Sequence, residues 1–275
     1  MNIPFFSIIT PSYNPGFRLQ KTIGSILGQT FSDYEVIVKD AGSSDGSLEG
    51  LSADGRIRLI QQKDSGIYDG MNQAVAAARG EYLYFLNCGD VLFSPDVLEK
   101  TAAAIRKEEE LSAKQPGDWI FYGDVLEEKT GQRVAAKPEM THFAMYRNLP
   151  CHQACFYSRD LFETRAFDLQ YQVRADYEHF LWCVIRHHAK AVAMDLTVAG
   201  YEGGGFSEKA ESRELSAKEH GKIAKEYFSQ AEQRRFRAAM VLSLQPLREK
   251  LASSPKTAAC YDRIKNKIYE KKPRR

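Results

Sequence analysis

The chain has 275 residues, 43% of them hydrophobic, 27% charged, with a formal net charge of +2. That apolar content supports a packed core and excludes wholesale disorder, while the lack of any 18-residue apolar run excludes a membrane-spanning helix. The small net charge hides an acidic body, −7 over residues 1–205, and a basic tail, +9 over residues 206–275.

In chain order, "FSIIT" predicts a strand and "PSYNPG" the turn after it. "FRLQKTIGSILGQT" spaces Leu19, Ile23, Ile26 and Leu27 as one helix face. "YEVIVKD" is a second strand ending at Asp40, followed by turn residues in "AGSSDGS", and "RIRLIQQ" is a third. "GIYDGMNQAVAAARG" reads as a helix closed by Gly80, and Tyr82 to Leu86 as a strand covered on both faces. "SPDVLEKTAAAIRKEEE" predicts an amphipathic helix with Ser94 as N-cap and Pro95 at its first position. Strand and helix alternating this regularly imply a mainly parallel sheet flanked by helices. Beyond it come a strand in "DWIFYGDV", a mixed segment "LPCHQACFYSRDLF", a helix within "YQVRADYEHFLWCVIRH" and a last strand in "AVAMDLTVAGYEGGGFS". The remainder is helical and basic.

In open α/β sheets ligands sit beyond the carboxyl ends of the strands. Tyr13, Asp40 and Asp90 all follow such ends, so one edge can gather them. Asp90, in "LNCGD", is the lone acid at the exit of the most apolar strand, and Gly89 beside it allows close backbone approach. Asp64, Asp69 and Asp124 read equally well as turn or capping residues, and His152 as a core histidine. Asp176 opens an amphipathic helix, where a cap and a catalytic base are both open readings.

Four stretches in order, "SIITPSYN", "SILGQTFSDYEVIVKDAGSSDGS", "DSGIYDGMNQAVAAARGEYLYFLNCGD" and "RADYEHFLW", resemble the family-2 glycosyltransferases. The resemblance runs from about residue 5 to residue 207. It is nearest to members that build bacterial exopolysaccharide, colanic-acid-type or lipopolysaccharide chains. It implies an α/β GT-A fold with a Rossmann-like nucleotide-binding half. The catalytic domain would span residues 1–205, donor half about 1–110 and acceptor half about 111–205, with a helical extension at 206–275. The expected activity is inverting, metal-dependent transfer from a nucleotide-diphosphate sugar, with uridine favoured, to a hydroxyl of a surface glycan or lipid-linked acceptor.

The same resemblance implies Asp176 as general base and Asp90 as ligand of Mn²⁺ or Mg²⁺. It places Pro11, Tyr13, Asp40, Asp69, Asn87 and Gly89 against the donor, with His152, Gln153, Gly204 and Ser207 on the acceptor or pyrophosphate side. Two departures stand out: Ala41 follows Asp40 where the family commonly has a second acid, and the Asp-x-Asp region keeps only Asp90. A hard cation needs only one or two protein carboxylates when phosphate and water complete its shell, so Asp90 suffices.

The scattered cysteines Cys88, Cys151, Cys155, Cys183 and Cys260 and the absence of a basic leader predict a cytoplasmic protein with reduced thiols. The basic tail, with Ile223, Tyr227, Val241, Leu244 and Leu247 interleaved, suggests peripheral docking on the anionic inner face of the membrane, and no nucleic-acid partner is expected. Rival readings are a sugar nucleotidyltransferase, against which "PSYNPG" lacks the Gly-rich basic loop, and a non-catalytic sugar-nucleotide-binding protein.

Overall fold

The computed structural model describes residues 3–51, 54–112, 118–203 and 210–242. Two compact units emerge, Met1–Ile223 and Ala224–Arg275. The first is built on one sheet ordered β3-β2-β1-β4-β8-β6-β9-β5, with β7 paired to β6. The strands are β1 (Phe6–Ser12), β2 (Tyr34–Asp40), β3 (Ile57–Gln61), β4 (Tyr82–Phe85), β5 (Val91–Leu92), β6 (Trp119–Glu127), β7 (Gln132–Val134), β8 (Cys155–Ser158) and β9 (Lys190–Tyr201). β1 to β4 are mutually parallel, so their carboxyl ends share one edge. β8 runs antiparallel between β4 and β6, and β6 pairs parallel with β9.

Why these segments become strands is visible in their burial. β2 and β4 are buried at every position, which is why they read as continuous apolar runs rather than alternations. β2 nevertheless carries a buried cation: Lys39 donates to the Gln62 carbonyl (2.6 Å) and to Asp64 (2.7 Å). Breaking a buried pair of this kind costs roughly 3–5 kcal/mol. Lys39 thereby ties the end of β2 to the loop leaving β3.

The helices are α1 (Arg18–Leu27), α2 (Ile67–Val75), α3 (Val97–Leu111), α4 (His142–Arg147), α5 (Arg159–Thr164), α6 (Ala175–Leu181), α7 (Ala210–Tyr227) and α8 (Gln230–Leu242). Two boundaries differ from the sequence reading. α3 begins at Val97, because Ser94 donates to Asp96 and the two residues form a turn before the helix. α2 ends at Val75, and Gly80 serves packing instead: a Cβ there would lie 2.4 Å from the Ser7 backbone nitrogen. α6 passes directly into a π-turn, Trp182–Arg186. The short strands β5 and β7, and β8 inside the mixed segment, have no periodicity long enough to signal them.

Candidate active site

Three strand exits meet at one edge. The loop after β1 and the loop after β2 are laced together: the Ala41 amide donates to the Ser12 carbonyl, Asn14 N–H to Ser43 Oγ, Ser44 N–H to Asn14 Oδ1 and Gly16 N–H to Asp45 Oδ2. Asn14 accepts a positive φ of 44° to make this possible. Tyr13 projects from this ledge with 68% of its surface exposed, free to stack on a planar ligand. Pro11, half-buried, offers its carbonyl to the Cys88 thiol (3.3 Å).

Asp40 is placed differently from its neighbours. It is fully buried, and its carboxylate accepts the Gly42 and Ser43 amides (2.9 and 2.8 Å) and the Ser43 hydroxyl. Burial alone would raise its pKa, but these hydrogen bonds outweigh that and hold it below the usual range. It shapes the loop on which the ledge rests. Asp69 likewise turns back on its own helix start, accepting the Ser65 amide and hydroxyl (2.8 and 3.0 Å), a cap of the kind expected for an acid in a first turn.

The exit of β4 holds Asp90. Residues 87–90 form a tight turn, with the Asp90 amide on the Asn87 carbonyl (3.1 Å) and Gly89 at a φ of 103° that only glycine adopts without strain. Thr22, on the buried face of α1, locks this turn by donating to the Asp90 carbonyl (2.7 Å) and accepting the Gly89 amide (2.9 Å). The Asn87 Oδ1 is buried without a hydrogen-bond partner, an acceptor that a ligand hydroxyl would satisfy.

Around Asp90 negative charge accumulates. Burial pushes its carboxyl up to about 7, Glu202 and Glu128 add to this, and Lys21 opposes it. Lys21 bridges those two glutamates (2.7 Å to Glu128, 3.1 Å to Glu202). No cluster of three His, Cys, Asp or Glu side chains able to hold a metal occurs among the described residues. The residues fit a cation held by one carboxylate and completed by ligand oxygens and water.

The second centre is a cavity of about 140 Å³ lined by Cys151, His152, Tyr157, Arg174, Asp176 and Tyr177 among others. Asp176 Oδ1 accepts the Tyr68 hydroxyl (2.8 Å), which also bonds the Val173 carbonyl (2.9 Å). Glu178, the nearest competing acid, is fully buried and paired with Arg165 (2.9 Å). Both ring nitrogens of His152 are buried without a hydrogen-bond partner. Burial lowers the His152 pKa, with the Asp176 charge opposing, so the ring is neutral. Gln153 is half-buried and gives its carbonyl to the Tyr84 hydroxyl (2.8 Å).

The Cys151 thiol is pushed up to about 11 by burial, then by the negative charges of Asp176 and Asp90 together. Gly204 and Ser207 lie outside the described residues. Asp124 and Asp64 are struts: the first accepts Arg133 and the Ala136 amide, the second holds Lys39. Sequence reasoning missed Thr22, Lys39 and Tyr68, since a polar atom on a buried helix or strand face leaves no trace in a hydropathy pattern.

Known proteins share this plan. Residues 7–166 match the profile of "Glycosyl transferase family 2". A PGL/p-HBAD biosynthesis glycosyltransferase of Mycobacterium tuberculosis is 34% identical over 222 residues, 78% of this chain and 84% of that protein. The mannosyltransferase PcManGT of Pyrobaculum calidifontis, solved with GDP-Man and Mn²⁺, superposes with a TM-score of 0.62 at 16% identity, covering 99% of this chain and 89% of its own. S. aureus TarS 1–349, solved with UDP-GlcNAc, gives 0.59 at 18%, covering 86% and 71%. With the fold, the strand-exit site and these matches in agreement, the chain belongs to glycosyl transferase family 2 and is a glycosyltransferase of the GT-A fold.

Proposed function

We propose that the protein is an inverting, divalent-metal-dependent glycosyltransferase that moves a sugar from a UDP-sugar to a hydroxyl of a bacterial surface glycan or lipid-linked acceptor. One observation carries the reading: Asp176 lines a cavity beside His152, whose two ring nitrogens are buried without a hydrogen-bond partner. The donor would lie across the strand exits, its base against Tyr13 and its ribose near Asn87. Asp90 would hold Mn²⁺ or Mg²⁺, which neutralises charge on the departing diphosphate. The solved neighbours bound to UDP-GlcNAc, and to GDP-Man with Mn²⁺, support a nucleotide-sugar donor and a divalent ion.

Asp176 acts as the base. The acceptor hydroxyl attacks the anomeric carbon, the bond to the diphosphate oxygen breaks, and Asp176 takes the hydroxyl proton. Tyr68 holds Oδ1, which orients the carboxylate and leaves Oδ2 for that proton. His152 offers its unmet hydrogen bonds to the acceptor. Residues 1–205 form the catalytic domain in this reading, with 206–275 as its helical extension. Membership of a transferase family sets aside both the nucleotidyltransferase and the non-catalytic reading.

The experiment is turnover by Asp176→Asn. It preserves size and donor binding, and transfer should fall about 10²- to 10⁴-fold. Near wild-type turnover, or abolition by Glu178→Gln with Asp176 intact, would overturn the assignment.

A further inference from the structure

The segment that leads into the base is gripped from an unexpected direction. Glu219 lies on α7, far along the chain in the basic C-terminal part, and is 6% exposed. Its carboxylate accepts three consecutive amides, Gln172 (2.7 Å), Val173 (3.0 Å) and Arg174 (2.9 Å). One turn earlier on α7, Ser216 accepts the Arg174 Nε (2.7 Å). One residue on, the His220 ring lies 3.1 Å from the Tyr146 carbonyl and 5.2 Å from the Tyr177 ring. α7 therefore touches the residues on both sides of Asp176.

We propose that Glu219 is a positioning residue for the catalytic base, acting through residues 172–174, and this rests on the assignment of Asp176 above. The geometry is a two-sided clamp. The Val173 amide is held by Glu219 while its carbonyl is held by Tyr68, and the same Tyr68 hydroxyl bonds Asp176 Oδ1. Charge-assisted bonds to three successive amides fix both the direction and the height of that short segment. Asp176 follows two residues after the last of them on the rigid start of α6. A misplacement of about 1 Å in a reacting group can cost on the order of 10²-fold in rate. Of the three side chains, Val173 is buried, Gln172 is exposed, and Arg174 leans on α7 itself, so the amide bonds to Glu219 add the direction that packing of one side chain leaves open. α7 thus helps position the base, and whatever moves α7 moves the base.

The test uses the full-length protein with Mn²⁺, following UDP release from UDP-GlcNAc, UDP-glucose and UDP-galactose with a panel of alkyl glycosides as acceptors. Glu219→Gln keeps the volume but can accept at only one oxygen, and Glu219→Ala accepts nothing. Expected are a kcat about tenfold lower for Gln and lower still for Ala, a donor KM within twofold of wild type, and faster amide hydrogen exchange confined to a peptide covering residues 170–175. In an Asp176→Asn background, Glu219→Gln should cause no further loss, because a residue acting through the base has nothing left to position. Losses that multiply in that background, a raised donor KM with unchanged kcat, unchanged exchange at 170–175, or failure of the Gln variant to fold would each assign Glu219 to the fold alone and overturn the proposal. Wild-type turnover by Asp176→Asn would instead sink the base assignment. An active Glu219→Ala beside a dead Asp176→Asn would sink only the clamp.

Discussion

Asp90 shows how much a single carboxylate can be asked to do at the end of a buried strand. Its backbone is pinned by Thr22 and its carboxyl is raised to about 7 by burial and by Glu202 and Glu128. A site that disfavours bare negative charge in this way gains when a cation arrives to pair it. Asp90→Ala should therefore weaken UDP binding by at least about 10- to 100-fold when Mn²⁺ is present and leave binding in EDTA unchanged, as titration calorimetry would read. Equal loss in both conditions would move Asp90 from the metal to the nucleotide or the fold. Asp40 shows the opposite fate. Both acids end apolar strands, yet Asp40 is consumed by the amides of its own loop and so shapes the loop whose Ser43 and Ser44 hold Asn14.

At the scale of elements, α6 carries Asp176 on one side and seals the core on the other. Asp176 is half-exposed toward the cavity, whereas Tyr177, Glu178, His179, Phe180 and Leu181 are all buried. His179 stacks on Phe162 (4.2 Å), and its Nε2 donates to the Arg165 carbonyl (2.8 Å). Burial, with the Arg165 charge adding and the carbonyl bond opposing, lowers its pKa to about 3. The unfolded chain, with a histidine of ordinary pKa near 6.5, binds this proton first, so stability is complete above about 6.5 and is lost as pH falls toward 3. Urea melts should show His179 costing about 2 kcal/mol at pH 5 relative to pH 7, and His179→Gln should flatten that part of the slope. An unchanged slope in the variant would place that acid sensitivity elsewhere, with His220, whose pKa burial also lowers, as the next candidate. Burial raises the Glu35 pKa, but bonds from Ser7, the Arg79 amide, Arg58 and Arg79 outweigh this, so its contribution is lost only below the ordinary glutamate range.

Across the whole molecule, the charge asymmetry and the fold divide differently. Part of the tail's apolar content is already spent on the protein: Ile223 and Tyr227 are buried, while Val241 and Leu242 are exposed. Leu244 and Leu247 lie outside the described residues. No described helix is long and apolar enough to cross a membrane. Surface docking would then rest mainly on charge, at roughly 1 kcal/mol per basic residue near an anionic bilayer. Full-length protein should sediment with phosphatidylserine-containing vesicles at low salt and leave them at high salt. Protein that stays in the supernatant at low salt would make the tail a solvated or partner-binding extension.

The sequence by itself determined the alternating first half, the doubly buried strands β2 and β4, the gathering of Tyr13, Asp40 and Asp90 at one sheet edge, and the placing of Asp176 at a helix start. Each of these is local: hydrophobic periodicity, a turn signal or a short motif carries it. Only the tertiary structure decided which acids are free to act. Asp40, Asp69, Asp64, Asp124 and Glu178 resemble Asp90 and Asp176 in composition, but partners occupy them, from their own loops at Asp40 and Asp69 and from farther along the chain at Asp64, Asp124 and Glu178. It also decided what holds Asp176 and the segment before it, since Tyr68 and Glu219 come from 108 residues before Asp176 and from the amide-binding face of α7. Hydrogen bonds to polar atoms across such separations depend on register and packing, and no one-dimensional pattern records them.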